Sequence, residues 1–264
     1  MILLYGFGNM AAAMLDGWLA AGRAPGEFAI YNPRRKSAPD GVAFHTDLPA
    51  GPFDAVVLGV KPQKLGEVAP VVEPLVGPGT MLISILAGVE LASLARRFPR
   101  ADGVVRFMPN LAVALCKSPN VLVGQGLSDA RRAQATALAE NLGSAHWLAD
   151  EDRFELVTAL AGSGPGFVYR FIDALASAGT SLGLDPDQAK QIAVEMVEGA
   201  SALAARSEHS PGELARRVAS PGGMTQRGLD VLDADKALET LLAGCLRATR
   251  DRGIEMGQAA REEG

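Results

Sequence analysis

Short apolar runs and helical repeats alternate through the first half of the chain. Residues 2–5, 28–31, 55–60, 81–86, 104–108 and 120–123 read as strands. Helical patterns lie between several of them, over 10–21, 63–76, 91–98 and 129–142. Strands that are apolar throughout and flanked by helices predict an α/β fold with a parallel, doubly wound sheet buried on both faces. Near Leu148 the alternation stops. From there the pattern is helical: 152–182, 186–207, 211–218, and a last segment from about 225 to the end. Ile192, Met196, Gly199, Ala200 and Leu203 recur at helical spacing. The expected division is therefore a sheet domain over 1–148 and an all-α domain over 149–264, with no low-complexity linker and no internal repeat.

Two of the later helices are apolar around much of their circumference. Leu160, Phe167, Phe171, Ile172 and Leu175 point in several directions, and a helical domain of about 115 residues can hardly cover them alone. A second copy of the chain is the simplest cover, which predicts an intertwined homodimer. A monomeric bundle with a buried central helix is the alternative.

Composition narrows the classes. The chain has 264 residues, 48% apolar and 21% charged, which is globular rather than disordered. Its 25 basic and 30 acidic residues leave a charge of −5. No Lys/Arg stripe suits a nucleic acid. Cys116 and Cys245, with three histidines, make neither a disulfide framework nor a zinc spacing. No apolar stretch reaches the roughly 20 residues of a membrane helix. The start, MILLYGFGNMAAAML, lacks the basic region of a signal peptide. The expectation is a mature cytoplasmic protein that uses neither nucleic acid nor membrane.

Gly6-Phe7-Gly8-Asn9-Met10-Ala11 follows the first strand and opens a helix. Gly6 permits a tight turn, Gly8 lets backbone approach a pyrophosphate, and Ala11 keeps the helix close to the sheet. The helix start offers free N–H groups to phosphates. In that context the pattern predicts a Rossmann-type dinucleotide site. The second strand ends at Tyr31-Asn32-Pro33-Arg34-Arg35, where an NAD enzyme usually carries a carboxylate for the ribose. Asn32 is neutral, and Arg34 and Arg35 can pair with a 2′-phosphate, so NADPH is expected over NADH. A solvated basic turn is the alternative.

Later strand ends add Val60-Lys61-Pro62, Ala87-Gly88 and Met108-Pro109-Asn110, all expected in the cofactor crevice. Lys61 is a candidate for ribose or substrate, and Asn110 for the nicotinamide side. Ala161-Gly162-Ser163-Gly164-Pro165-Gly166 sits inside a helical pattern. Three glycines and a proline in a helix interior would cost roughly 6 kcal/mol. The stretch is therefore a plain break, or a ligand-facing kink in which Pro165 frees the carbonyl of Ala161. Ser220-Pro221-Gly222-Gly223-Met224-Thr225 precedes the last helical segment. Successive N–H groups there make a cup for a carboxylate, with the Thr225 hydroxyl beside it; a simple Pro-Gly turn is the alternative.

Taken in order, 6–13, 60–63, 87–89, 106–110, 161–165 and 220–225 resemble the motifs of the pyrroline-5-carboxylate reductases over nearly the whole chain. The resemblance implies an N-terminal Rossmann domain and a C-terminal helical dimerisation domain, with the substrate pocket completed across a homodimer or a ring of dimers. It also implies NADPH-dependent reduction of (S)-1-pyrroline-5-carboxylate to L-proline. Ser220, Gly222, Gly223, Met224 and Thr225 would hold the carboxylate, with Ser163 and Pro165 at the substrate. Thr225 would lie by the ring nitrogen as the catalytic residue. The family's glutamate on the helix before the glycine turn matches Glu208. This chain departs from the family in Leu111-Ala112 and in Gly166-Phe167.

An imine already protonated on nitrogen needs no strong acid from the protein, which agrees with His45, His146 and His209 lying outside the motifs. A β-hydroxyacid dehydrogenase would need a lysine soon after a Gly-rich turn, yet Arg170 follows Gly166, and Lys190 is far along the next helix. A redox sensor without turnover would leave the carboxylate cup unexplained.

Overall fold

A computed structural model describes residues 1–262, with side chains through 258. In chain order the first elements are β1 (Ile2–Tyr5), α1 (Asn9–Ala20), β2 (Phe28–Tyr31), β3 (Ala43–His45), β4 (Ala55–Leu58), α2 (Leu65–Val72), β5 (Met81–Ser84), α3 (Leu91–Arg97), β6 (Val104–Met108), β7 (Ser118–Gln125), α4 (Asp129–Glu140) and β8 (Gly143–Trp147). They are followed by α5 (Phe154–Val157), a π-turn (Thr158–Gly162), α6 (Gly164–Ser181), α7 (Pro186–Arg206), α8 (Pro211–Val218), α9 (Met224–Asp233) and α10 (Ala237–Glu262).

The strands form one sheet in the order β3-β2-β1-β4-β5-β6-β7-β8. The order reverses beside β1, which places a crevice at the carboxyl ends of β1 and β4. Both faces are covered: Ile2 and Leu4 enter one core with Trp18 of α1 and Leu138 of α4. Leu3 and Tyr5 enter the other with Leu65 of α2 and Leu94 of α3. Trp18 stacks on Phe28 at 5.3 Å, and its ring N–H donates to the carbonyl of Leu138 at 2.9 Å.

Three expectations need correction, and the helical pattern over 152–182 divides at the break that its glycines and proline allowed. The sheet is not wholly parallel, because β7 runs antiparallel to β6. β3 and β8 went unread; β3 has three residues, and β8 alternates half-buried with exposed positions, so neither shows an apolar run. The expected helix 152–182 is broken into α5, the π-turn and α6, with Pro165 in the first turn of α6, where a missing N–H costs little. The expected last segment divides at Asp235 and Lys236, whose φ values are 49° and 55°; the final two residues of that expectation lie outside the described ones.

Two compact units emerge. One comprises Met1–Ser163 together with the chain from Ala248 onward; the other is Gly164–Arg247. The expected boundary at 148 falls just after β8, whereas the first unit continues through α5 and the π-turn. In the helical unit α6 packs along α7. Asp185 starts α7 by accepting from the N–H groups of Asp187 and Gln188, both at 3.1 Å, with Pro186 at the first helical position. Among the described residues of this unit only Ala189 and Ala193 are buried.

Candidate functional site

The end of β1 must turn sharply where β4 ends beside it. Gly6 has φ +90°, and a Cβ there would stand 2.8 Å from the Gly59 carbonyl oxygen; a Cβ on Gly59 would stand 2.7 Å from that of Gly6. Close approach therefore requires glycine at both positions, and the turn requires it at Gly6 as well. Gly8 is the N-cap of α1 in an extended conformation, and no side chain caps the helix. The first-turn N–H groups, Asn9 and Met10 included, thus end in an uncapped helix start with the partial positive charge that suits a diphosphate.

Asn32 fixes this loop. Its carbonyl oxygen accepts from the Phe7 N–H at 3.3 Å, and its amide donates to the Arg34 carbonyl at 2.6 Å. Lys36 reaches over and donates to the Phe7 carbonyl at 2.5 Å. An aspartate at position 32 would lose the second bond and bring negative charge to the groove, so neutrality here is both structural and electrostatic.

A groove of about 680 Å³ runs past these residues. Gly6, Phe7, Gly8, Asn32, Arg34, Val60 and Lys61, all expected at the cofactor, line it. Lys36, Lys64 and the pair Tyr5–Tyr31 also line it, and sequence reasoning passed over them. The two tyrosine rings lie 4.8 Å apart. Burial, then the neighbouring Tyr31, pushes the Tyr5 hydroxyl's pKa up, so it stays neutral. Lys36 carried a signal, standing one residue beyond the Arg34-Arg35 pair; Lys64 carried none until α2 was seen to begin beside it.

Other residues expected in the cofactor crevice are not among those that line this groove. Arg35 sits over the Phe44 ring at 4.9 Å and is not brought to the groove. Pro62 begins the short turn that leads into α2. Ala87 and Gly88 follow β5, two strands away from β1 in the sheet. Gly88, at φ +73°, packs against Met256 and Gly257 at the end of α10.

Asn110 corrects its expected role most clearly. It is 5% exposed, and its amide donates to the Ala161 carbonyl at 2.9 Å while its oxygen accepts from the Ala112 N–H at 2.8 Å. It joins the end of β6 to the π-turn instead of presenting an open amide. The carbonyl that Pro165 was expected to free is the one it takes. Ser163 closes the π-turn, its N–H donating to the Thr158 carbonyl at 3.1 Å. One-turn π segments of this kind recur at functional sites.

In the helical unit, Ser220-Pro221-Gly222-Gly223 forms a tight turn. Gly222 has φ +71°, and the Gly223 N–H donates to the Ser220 carbonyl at 2.9 Å, as in a type II turn with proline second and glycine third. A Cβ on Gly223 would stand 2.4 Å from the Ser220 hydroxyl, which can rotate away, and 3.0 Å from the Ser220 carbonyl oxygen, so the turn is tight at this position. Gly223 is the N-cap of α9, again with no side-chain cap. Met224, 94% exposed, and Thr225 open the first turn of α9, whose N–H groups are left for an anion. Glu208 is exposed in the bend between α7 and α8. It is not on the helix before the glycine turn, which is α8; that helix is closed at its start by Ser210 and Glu213.

The comparisons with known proteins point to one family. Residues 151–256 match the family model described as pyrroline-5-carboxylate reductase dimerisation. The chain is 33% identical over 266 residues to the pyrroline-5-carboxylate reductase of Pseudomonas aeruginosa, with 97% of each covered. The solved pyrroline-5-carboxylate reductase of Coxiella burnetii matches with a TM-score of 0.86 at 28% identity, covering 97% of both chains. Pyrroline carboxylate reductase of Plasmodium falciparum, solved with NADP bound, matches in fold with a TM-score of 0.82 at 22% identity, again over 97% of each chain.

Proposed function

The chain belongs to the pyrroline-5-carboxylate reductase family, and from that premise we propose that it reduces (S)-1-pyrroline-5-carboxylate to L-proline with NADPH, as a cytoplasmic homodimer. The observation that carries the reading is the uncapped start of α9 behind the Pro221-Gly222-Gly223 turn. The glycine loop of β1 is common to many dehydrogenases, whereas a second anion cup in the helical half calls for a substrate with a carboxylate.

The residues fit the cofactor. The loop from Gly6 to Met10 holds the diphosphate on the α1 start, and adding a Cβ at Gly6 would close the turn. Arg34 and Lys36 take the 2′-phosphate, while the neutral Asn32 leaves it unopposed. When bound, NADPH supplies the hydride. The chain's own work is binding and orientation. Gly223, Met224 and Thr225 fix the substrate carboxylate through backbone N–H groups, with Ser220 shaping the turn. The Thr225 hydroxyl serves the ring nitrogen, and Ser163 and Pro165 complete the substrate side. A nitrogen already protonated makes the adjacent carbon electrophilic, so the absence of a histidine from both motifs is no obstacle.

The exposed apolar residues of the helical unit support the homodimer, and assembly of dimers into a ring is the larger form of the same reading. A cytoplasmic place goes with a chain whose two cysteines form no disulfide. Among the described residues no helix is long and apolar enough to cross a membrane.

The test mixes the protein with NADPH and the imine and follows nicotinamide absorbance together with proline formed. Imine-dependent oxidation with equimolar proline is expected; a folded protein that binds NADPH but gives no proline would overturn the reading. Thr225→Ala should lower kcat about tenfold, the worth of one hydrogen bond to a charged group. Unchanged turnover in that variant would remove Thr225 from the chemistry.

A further inference from the structure

We infer that the end of α10 is a positioning element for the cofactor loop after β5: Gly257 seats on Gly88 and Gly253 on Glu155, and these two glycines set where that loop stands. The inference rests on the reading that Ala87 and Gly88 belong to the dinucleotide site.

The contact is backbone against backbone. A Cβ on Gly257 would stand 2.8 Å from the Gly88 carbonyl oxygen, and a Cβ on Gly88 would stand 3.0 Å from the Gly257 nitrogen. Neither side can yield by turning a rotamer, and Gly88 at φ +73° already occupies a conformation that side chains disfavour. Four residues earlier, on the same face of the helix, a Cβ on Gly253 would stand 2.6 Å from Glu155 Oε2.

Glu155 is itself held. Its other oxygen accepts from Arg106 at 2.7 Å, and Arg106, 1% exposed on β6, also donates to Glu151 at 2.7 Å. The guanidinium lies 3.9 Å from the centre of the Phe154 ring. Glu151 in turn accepts from the Leu91 N–H at 2.9 Å, at the start of α3. The segment from Gly88 to Leu91 is thus fixed at one end by a helix backbone and at the other by a carboxylate. Arg106 ties both supports together. Bidentate use of one buried arginine gives that cluster a defined geometry.

Gly257→Ala forces the helix end and the loop apart. The expected result is an NADPH KM raised about tenfold with kcat at saturation within about twofold of wild type. In the same variant without nucleotide, amide hydrogen exchange at residues 87–91 should quicken. Gln258→Ala, exposed on the adjacent position, serves as the control and should change neither. Unchanged KM and unchanged local exchange, even with a lower Tm, would overturn the proposal, because a merely structural contact predicts that pattern. Should Gly257→Ala fail to fold, Gly253→Ala meets only the end of a side chain and carries the same two readouts at smaller size. Wild-type protein that does not take NADPH would instead overturn the cofactor reading. The exchange pattern, measured without nucleotide, keeps that failure apart from failure of the seat.

Discussion

Trp18 in the sheet unit is 1% exposed and stacked on Phe28, whereas Phe171 in the helical unit is 44% exposed and Leu182 is 88%. Trp18 belongs to one of two continuous cores, one on each face of the sheet. Around Phe171 there is a helix pair whose buried positions are two alanines. The sheet unit has the interior that a domain needs to stand alone. The helical unit has the surface of half a core, which is the physical content of a dimerisation domain: its apolar residues find their neighbours on a second chain.

A charge placed on each surface tests that contrast most sharply. Were the helical unit covered by nothing, Phe171→Asp would change stability by no more than about 0.5 kcal/mol, as surface substitutions usually do. Covered by a partner, it should cost about 2 kcal/mol or more and convert the dimer to monomer in sedimentation. Trp18→Ala should cost about 3–5 kcal/mol through its cavity, with the dimer intact at temperatures where the protein stays folded. If Phe171→Asp leaves both stability and assembly unchanged, the two units do not differ in the way their surfaces indicate.

The next effect lies inside the sheet unit, where two adjacent arginines have been separated by the fold. Arg34 lines the groove and Arg35 rests on Phe44. Arg34→Ala should raise the NADPH KM about tenfold, the loss of one charge-assisted bond to a phosphate, and leave NADH unchanged. Arg35→Ala should move neither by more than about twofold, because its contact is a surface cation–π pair worth about 0.5–1 kcal/mol of local packing. Steady-state kinetics with both dinucleotides separates the outcomes. Equal effects of the two variants would return both arginines to the phosphate.

Legibility followed the same division. The glycine loop could be read because its turn, its close approach and its helix start are all encoded within six residues, Gly6 to Ala11. The Ser220–Thr225 turn was legible for the same local reason. What escaped depended on pairs distant in sequence. Gly59 is required by Gly6, 53 positions away, and Gly257 by Gly88; Asn110 is claimed by Ala161. β8 alternates at the edge of the sheet instead of running apolar, so only its pairing with β7 reveals it. Periodicity reports which face a residue takes, and not which remote backbone will approach it.

The smallest effect belongs to the helical unit, which depends on local devices where it lacks an interior. Ser210 and Glu213 close the start of α8: the Ser210 hydroxyl accepts from the Glu213 N–H at 3.3 Å, and the Glu213 carboxylate accepts from the Ser210 N–H at 2.8 Å. The bond from the Ser210 hydroxyl, then that from its backbone N–H, holds the Glu213 carboxyl below its ordinary 4.5, with Arg216 adding in the same direction. A carboxylate whose folded pKa is depressed stabilises the fold above its unfolded pKa, and that contribution fades as pH falls through the folded value. Glu213→Gln should therefore lower Tm slightly at neutral pH, and the gap from wild type should begin to shrink near pH 4.5 and close as pH falls through the lower folded value. The side chain is fully exposed, so water and salt screen the interaction and the gap should narrow further in high salt. A gap that persisted at acid pH would mean that the geometry of the cap, and not its charge, supports the helix leading to the glycine turn.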